Sequence, residues 1–420
     1  MRSEGLRSGR GLASAIGLAV AGLALAWLCV RTAMIGVLPA NVPALTSVAP
    51  NAPNVVFGRA LIVLGERLDF LAKAPNSAAP PRDLNPATLA AVRDAAARAP
   101  LDARAFLILG YHQLAANESD RAVRSLEAGQ RLNPRDRLIH LLLLERYLLS
   151  NRFAEAAQQF SVLSRLIGGA QPAIATVMAQ MLMDPAMRDA ARRTLRSDPR
   201  LERAVLIALA KGESEPNAIF ALASPAALNE MGDKDGWGSA LVARLVDAGR
   251  FQAARAVWRR IYKIPDAAAA PPIFNPSFAP SAASAPFNWT LVASGLGAAD
   301  PERDGLSIDY YGRDSGDLAS QLLVLAPGRY RLAFEAEGGK ADAASRLYWT
   351  VACASDGKIV LANVALPSAP GVHRVAADFT TTPACSAQTL TLRGEAGEFP
   401  SPNALTINGI AITSIGKTPS

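Results

Sequence analysis

Near residue 286 the spacing of apolar residues changes, and that change constrains the fold more than any other feature of the chain. From about residue 55 to 263 apolar residues recur every three or four positions, alanine and leucine dominate, and β-branched runs are scarce. This part reads as α-helical. From residue 287 onward the runs GLSIDYY, SQLLVL, GRYRLAFEA, RLYWTVACA, HRVAADF, QTLTLRG and ALTINGIAI alternate apolar with polar residues, with Gly, Pro, Asp and Ser between them. Short alternating runs with such turns predict an antiparallel β-sandwich over 287–416. Residues 264–286, mostly Pro, Ala and Ser, read as a linker.

The helical part repeats. In RAFLILGYHQLAANESDRAVRSLEAGQRLNP, the residues Phe106, Leu109, Gly110, Ala122, Leu126 and Pro134 stand at the spacing of a helical hairpin whose small residues allow close approach. Pro100 lies one 34-residue period before Pro134, and Leu143 with the following ERYLLSNRFAEAAQQF, which holds Tyr147, Ala156 and Phe160, continues the series. DAGRFQAARAVW repeats the phrase later, with Phe251, Ala254 and Trp258. Residues 170–235 keep the helical spacing without the signature, so one or two degenerate units are expected there. Residues 55–263 resemble a tetratricopeptide-repeat solenoid. The resemblance implies a concave face that holds a protein or peptide partner, without naming it.

The alternating part resembles the galactose-binding-like jelly roll of carbohydrate-binding modules. Four phrases carry the likeness: FNW at 287–289, DGLSI at 304–308, LASQLLVLAPGRYRLAF at 318–334, and LTINGIAI at 405–412. It implies a polysaccharide as a possible ligand, held by aromatic side chains on a sheet face or at loop tips. Within GLSIDYY, Leu306, Ile308 and Tyr310 share one face, so Tyr311 is the exposed ring. Arg313, Asp314 and Asp317 follow it. An aromatic plane beside charged donors and acceptors is what a sugar ring needs, because its C–H groups stack while its hydroxyls hydrogen-bond. Trp289 joins Tyr311, Arg313, Asp314 and Asp317 as a candidate ligand contact. Trp349 shares the inward face with Leu347, Val351 and Cys353.

The amino end predicts the compartment. Residues 1–10 carry Arg2, Arg7 and Arg10, and residues 11–30 hold no charge. An apolar helix of that length spans about 30 Å, enough for a bilayer core. The cationic side is expected to stay in the cytoplasm, as a basic tail before an uncleaved signal anchor, with the rest of the chain exported. A cleaved signal peptide is the competing reading. The expected location is a bacterial inner membrane, single-pass, with most of the chain periplasmic. Cys29 then lies in the apolar helix. Cys353 and Cys385 share one small exported β-domain and pair most simply as a disulfide, the alternative being two buried thiols.

The chain's chemistry points away from catalysis. His112, His140 and His373 lie in separate segments, and no metal-ligand, nucleophile-elbow or phosphate-loop motif occurs. Asp300, Asp304, Asp309, Asp314 and Asp317 crowd one loop-rich stretch without a calcium-loop spacing, and read as solvated turn carboxylates. Residues 1–284 hold 33 Lys/Arg against 23 Asp/Glu, yet no clustered stripe or recognition motif suggests nucleic acid. Neither an enzyme nor a cofactor is expected. The function expected is a membrane-anchored interaction protein of envelope or exopolysaccharide assembly. A purely structural assembly factor, whose β-domain packs on the solenoid and binds no glycan, is the alternative.

Overall fold

The computed structural model describes residues 28, 47–73, 84–302, 305–341, 345–399 and 401–416. The expected tail and, apart from Leu28, the expected membrane span at 11–30 lie outside these residues, as does Cys29. Among the described residues no helix is long and apolar enough to cross a membrane. The chain divides into two compact units between Ser197 and Asp198.

The first unit is a stack of tetratricopeptide-like hairpins. Its helices are α1 (Pro53–Lys73), α2 (Pro86–Arg98), α3 (Ala103–Ala115), α4 (Ser119–Leu132), α5 (Arg137–Leu149), α6 (Phe153–Leu166), α7 (Gln171–Met183) and α8 (Pro185–Ser197). Gly110 of α3 meets Leu126 of α4 so closely that an added Cβ would lie 2.8 Å from Leu126 Cγ. Ala122, Leu126, Leu143 and Ala156 are fully buried, and Tyr147 and Phe160 nearly so. Removing one such leucine side chain from water contributes roughly 2 kcal/mol.

The repeat extends to the backbone. Asp102 and Asp136, one 34-residue period apart, cap α3 and α5 by accepting from the N–H of Arg104 and of Leu138 and Ile139. Asn117 and Asn151, also one period apart, take left-handed φ values of 61° and 57° between paired helices. The next N–H groups, of Glu118 and Arg152, reach back to the carbonyls of Gln113 and Tyr147, both at 2.8 Å.

The second unit begins with helices and ends in sheets. Helix α9 (Pro199–Lys211) is followed by the short α10 (Pro216–Leu222) and α11 (Pro225–Asn229), then by α12 (Trp237–Asp247) and α13 (Phe251–Tyr262). The short helices replace a regular hairpin where the signature was missing. They are held by buried Glu202, whose carboxylate accepts from the N–H and hydroxyl of Ser224, and by Trp237, whose indole donates to the Ala227 carbonyl. Helices α12 and α13 restore the repeat. Gly249 takes the left-handed turn at φ 70°, and Arg250 N–H reaches the Leu245 carbonyl at 2.8 Å.

Residues 264–286, read above as a linker, form a packed strap that includes α14 (Asp266–Ala269). Ile273 and Phe278 are each 2% exposed and belong to the core of the sandwich. The buried Gln321 amide clamps the strap, accepting from Phe274 N–H at 3.0 Å and donating to the Phe274 carbonyl at 2.8 Å. Composition suggested a partly extended linker running onto or between domains; Ile273, Phe278 and the Gln321 amide pack it against the sandwich.

The sandwich contains β1 (Thr290–Leu291), β2 (Ala293–Ser294), β3 (Gly297–Pro301), β4 (Leu306–Tyr310), β5 (Gly316–Leu323), β6 (Gly328–Ala341), β7 (Arg346–Cys353), β8 (Val360–Ala365), β9 (Gly371–Thr381), β10 (Gln388–Glu395) and β11 (Asn403–Gly416). One sheet has the order β1-β5-β10-β7-β8 and the other β2-β3-β4-β11-β6-β9. All recorded strand pairs are antiparallel. Alternate residues of facing strands, among them Ile308, Tyr310, Leu332, Phe334, Trp349, Val351, Leu390 and Ile407, fill the space between the sheets. Cys353 and Cys385 form a disulfide with an S–S distance of 2.02 Å.

Candidate functional site

The outer face of the five-stranded sheet gathers the groups that could hold a hydroxylated ligand. On β7, Leu347, Trp349, Val351 and Cys353 point into the core, so Arg346, Tyr348 and Thr350 face outward. On β10, inward Leu390 and Leu392 leave Thr389, Thr391 and Arg393 outward. Register then sets these side chains in rows. Tyr348 lies opposite Arg393, and Arg393 opposite Asp317. Thr350 lies opposite Thr391, and Thr391 opposite Ser320, which in turn is opposite Thr290. The Arg393 guanidinium approaches the Asp317 carboxylate at 3.5 Å.

Along β10 from Thr389 to Arg393 this face runs about 13 Å, and five strands give it a width of about 19 Å. It is a floor of hydroxyls with the Tyr348 ring and the Arg393–Asp317 pair at its end. Hydroxyls donate and accept, a carboxylate accepts, and a guanidinium donates in a fixed fork, so the rows present every partner that a sugar's hydroxyls require.

The structure places the predicted residues in three different settings. Tyr311 is 43% exposed, as its parity required, and Arg313 and Asp314 are exposed in the loop that follows. The loop is pinned by Gly312, whose φ of 68° and contact with the backbone of Ser401 admit no side chain. Burial first, then the neighbouring Asp314 and Glu395 carboxylates, push the Tyr310 hydroxyl above its ordinary pKa, and it donates to the Asp314 carbonyl at 2.8 Å. Asp317 alone of the set lies in the outward rows, beside Arg393. Trp289 does not join them. It is 8% exposed, packs between Phe278 and Trp349, and donates its indole N–H to the Asn275 carbonyl at 2.8 Å. The strap covers this tryptophan, and the sequence offered no sign that it would.

Tyr348 is one of four aromatics, with Trp289, Tyr310 and Tyr311, whose joint exposure would favour a glycan site; Trp289 and Tyr310 are buried, and Thr350, Thr391 and Arg393 were not singled out in the sequence. Alternation with Trp349 and with Leu392 turns each of these side chains outward, and their alignment across three strands follows from the register. Among the described residues no group of three or more His, Cys, Asp or Glu side chains is placed to hold a metal ion.

The helical unit carries a second recess, of about 510 Å³, walled by Arg124, Glu127, Arg146 and Arg152. Tyr147 donates its hydroxyl to Glu127 at 2.9 Å beneath the Arg152 guanidinium, 4.4 Å above its ring. Burial, reinforced by Glu127, raises the pKa of that hydroxyl. On the first helices of successive hairpins, Leu141, Val177 and Met183 remain exposed.

No protein-family model matches the chain. No curated protein matches it either. Several solved structures are similar to parts of it. The carbohydrate-binding module TmCBM61, solved in complex with β-1,4-galactotriose, is 14% identical, covers 34% of this chain and 98% of its own, and has a TM-score of 0.25. The N-terminal cellulose-binding domain of a β-1,4-glucanase from Cellulomonas fimi is 18% identical over 32% of this chain and 93% of its own, with a TM-score of 0.22. YrrB, a tetratricopeptide protein with an unusual peptide-binding site, is 15% identical over 42% of this chain and 93% of its own, with a TM-score of 0.22.

Proposed function

We propose that the chain is a non-catalytic binding protein that holds a polysaccharide on the outer face of the β1-β5-β10-β7-β8 sheet and a protein or peptide partner on its helical hairpins. The observation that carries the reading is the row Tyr348, Arg393, Asp317, standing at the end of a floor of threonine and serine hydroxyls. A ring stacked on Tyr348 gains apolar contact, and the ion pair and hydroxyls satisfy the groups around its edge. The exposed Leu141, Val177 and Met183 supply apolar anchors for the partner of the helical unit.

In this reading residues 11–30 anchor the chain in a bacterial inner membrane and the rest works in the periplasm, in assembly of an envelope or exported polysaccharide. The apolar run and its arginine bias support the anchor. The Cys353–Cys385 disulfide fits an oxidising compartment.

An immobilised panel of envelope and exported polysaccharides, probed with the purified chain, tests the carbohydrate part. Saturable binding to at least one of them is expected; binding to none would overturn it. The second reading, a scaffold that binds no glycan, is favoured by the strap, which ties α13 to the sandwich through Trp258 and Phe274. It predicts the blank panel.

A further inference from the structure

The outer face of the β1-β5-β10-β7-β8 sheet is open at its Tyr348 end and walled at the other. There the turn between α12 and α13 stands over the sheet. Asp247, at the end of α12, lines a cleft of about 490 Å³ together with Thr290, Ser320 and Thr389 of the sheet and Ser355, beyond the end of β7. The cleft falls within the usual range for small-molecule sites, roughly 300–1,000 Å³. It continues directly into the row of Ser320, Thr391 and Thr350.

The chemistry of the walls is selective. Four hydroxyls donate and accept, the Asp247 carboxylate only accepts, and no cationic side chain lines the cleft among the described residues. Arg250, three residues beyond Asp247, is held by Glu215 through hydrogen bonds of 3.0 and 3.1 Å. A ring bearing a carboxylate would meet like charge here, whereas a neutral ring or one bearing an ammonium group would not.

We infer that this cleft receives the terminal residue of a neutral or amino-sugar polysaccharide, so that the protein recognises a chain end rather than a chain interior. The inference rests on the carbohydrate-binding reading above and deepens it. The next sugars lie over Thr391 and Thr350 toward Tyr348 and Arg393, where the face is open and the chain can leave. The helical hairpin is thus part of the ligand site, and Asp247 is the residue it contributes.

The test uses the whole chain in detergent and five probes: β-1,4-galactan, dextran and mannan as neutral polymers, chitosan as an amino polymer, and alginate as an anionic one. Each polymer that binds is compared, as a competitor, with its own partial acid hydrolysate at equal mass. The expected result is competition that strengthens in proportion to the number of chain ends, with alginate inactive in both forms. Asp247→Ala should weaken binding about tenfold or more and remove the gain from hydrolysis. The substitution lies on an exposed helix C-terminus, where losing a carboxylate does not impair the fold. Equal competition by polymer and hydrolysate would overturn end recognition and leave the carbohydrate reading standing. Tighter binding of alginate than of the neutral polymers would overturn the assigned sugar class. Failure of all five to bind would remove both.

Discussion

Trp258 donates its indole N–H to the Ser284 carbonyl at 2.8 Å, and between these two residues the chain leaves α13 and runs along the strap toward the first strand. Its ring meets Phe274 edge-on at 5.0 Å and Phe287 at 5.7 Å, so the last hairpin, the strap and the start of the sandwich share one aromatic cluster. Trp258→Ala should cost about 3–5 kcal/mol and weaken α13 and the sandwich together. Urea unfolding followed by far-ultraviolet and near-ultraviolet circular dichroism checks this. An unchanged near-ultraviolet transition would mean that the sheets fold independently of the hairpin.

The disulfide joins residues 32 apart in sequence, and both sulfurs are buried. Closing such a loop contributes roughly 3–4 kcal/mol in the chain-entropy model. The double replacement Cys353→Ser with Cys385→Ser should therefore lower the stability of the second unit by about that much while leaving the first unit's helical signal in place. Thiol labelling of unreduced, denatured wild type should modify Cys29 alone.

The Arg104 side chain, hydrogen-bonded to Asp102, holds that carboxyl below its usual pKa, against the opposing effect of burial. A depressed folded value means that the stabilisation is present above the unfolded carboxyl pKa, about 4, and is lost as pH falls through the folded one. The first unit should thus lose stability below about pH 4. Asp102→Asn keeps an acceptor for the α3 N-terminus and should flatten that dependence. Asp102→Ala should cost about 1 kcal/mol at neutral pH. Thermal melts of both variants across pH 3–7 give the comparison.

The left-handed turns make a sharper test of the repeat. Asn151 has φ 57°. Asn151→Ala should destabilise by about 1 kcal/mol, because a Cβ without a local hydrogen-bonding group is strained there. Asn151→Gly should be neutral or slightly stabilising, since Gly249 already serves at the equivalent turn. Equal effects of the two substitutions in chemical denaturation would contradict the assignment.

Both fold classes were legible in the sequence because burial imposes a period. Gly110, Ala122 and Leu126 recur as a repeat must, and Leu347, Trp349 and Val351 alternate as a covered strand must. The strap was not legible. Nothing local distinguishes Ile273 and Phe278 from apolar residues in a free linker; only the core that they enter does. The candidate site was half legible for the same reason. Parity exposed Tyr311, and the inward face of Leu347, Trp349 and Val351 leaves Tyr348 outward, but bringing Tyr348, Arg393 and Asp317 into one row takes the pairing of β7, β10 and β5. These strands are far apart in sequence, and a one-residue slip would undo the row.

Affinity electrophoresis of the purified chain through gels containing each polysaccharide tests whether the outer face of the five-stranded sheet holds the ligand. Tyr348→Ala and Arg393→Ala alter the outer face of one sheet, while Arg331→Ala alters the outer face of the other, where Arg331 pairs with Asp378. At least one polysaccharide should retard wild type and Arg331→Ala alike, and either substitution on the first sheet should weaken the interaction about tenfold or more. Equal retardation of all four proteins, or free migration of wild type in every gel, would contradict it.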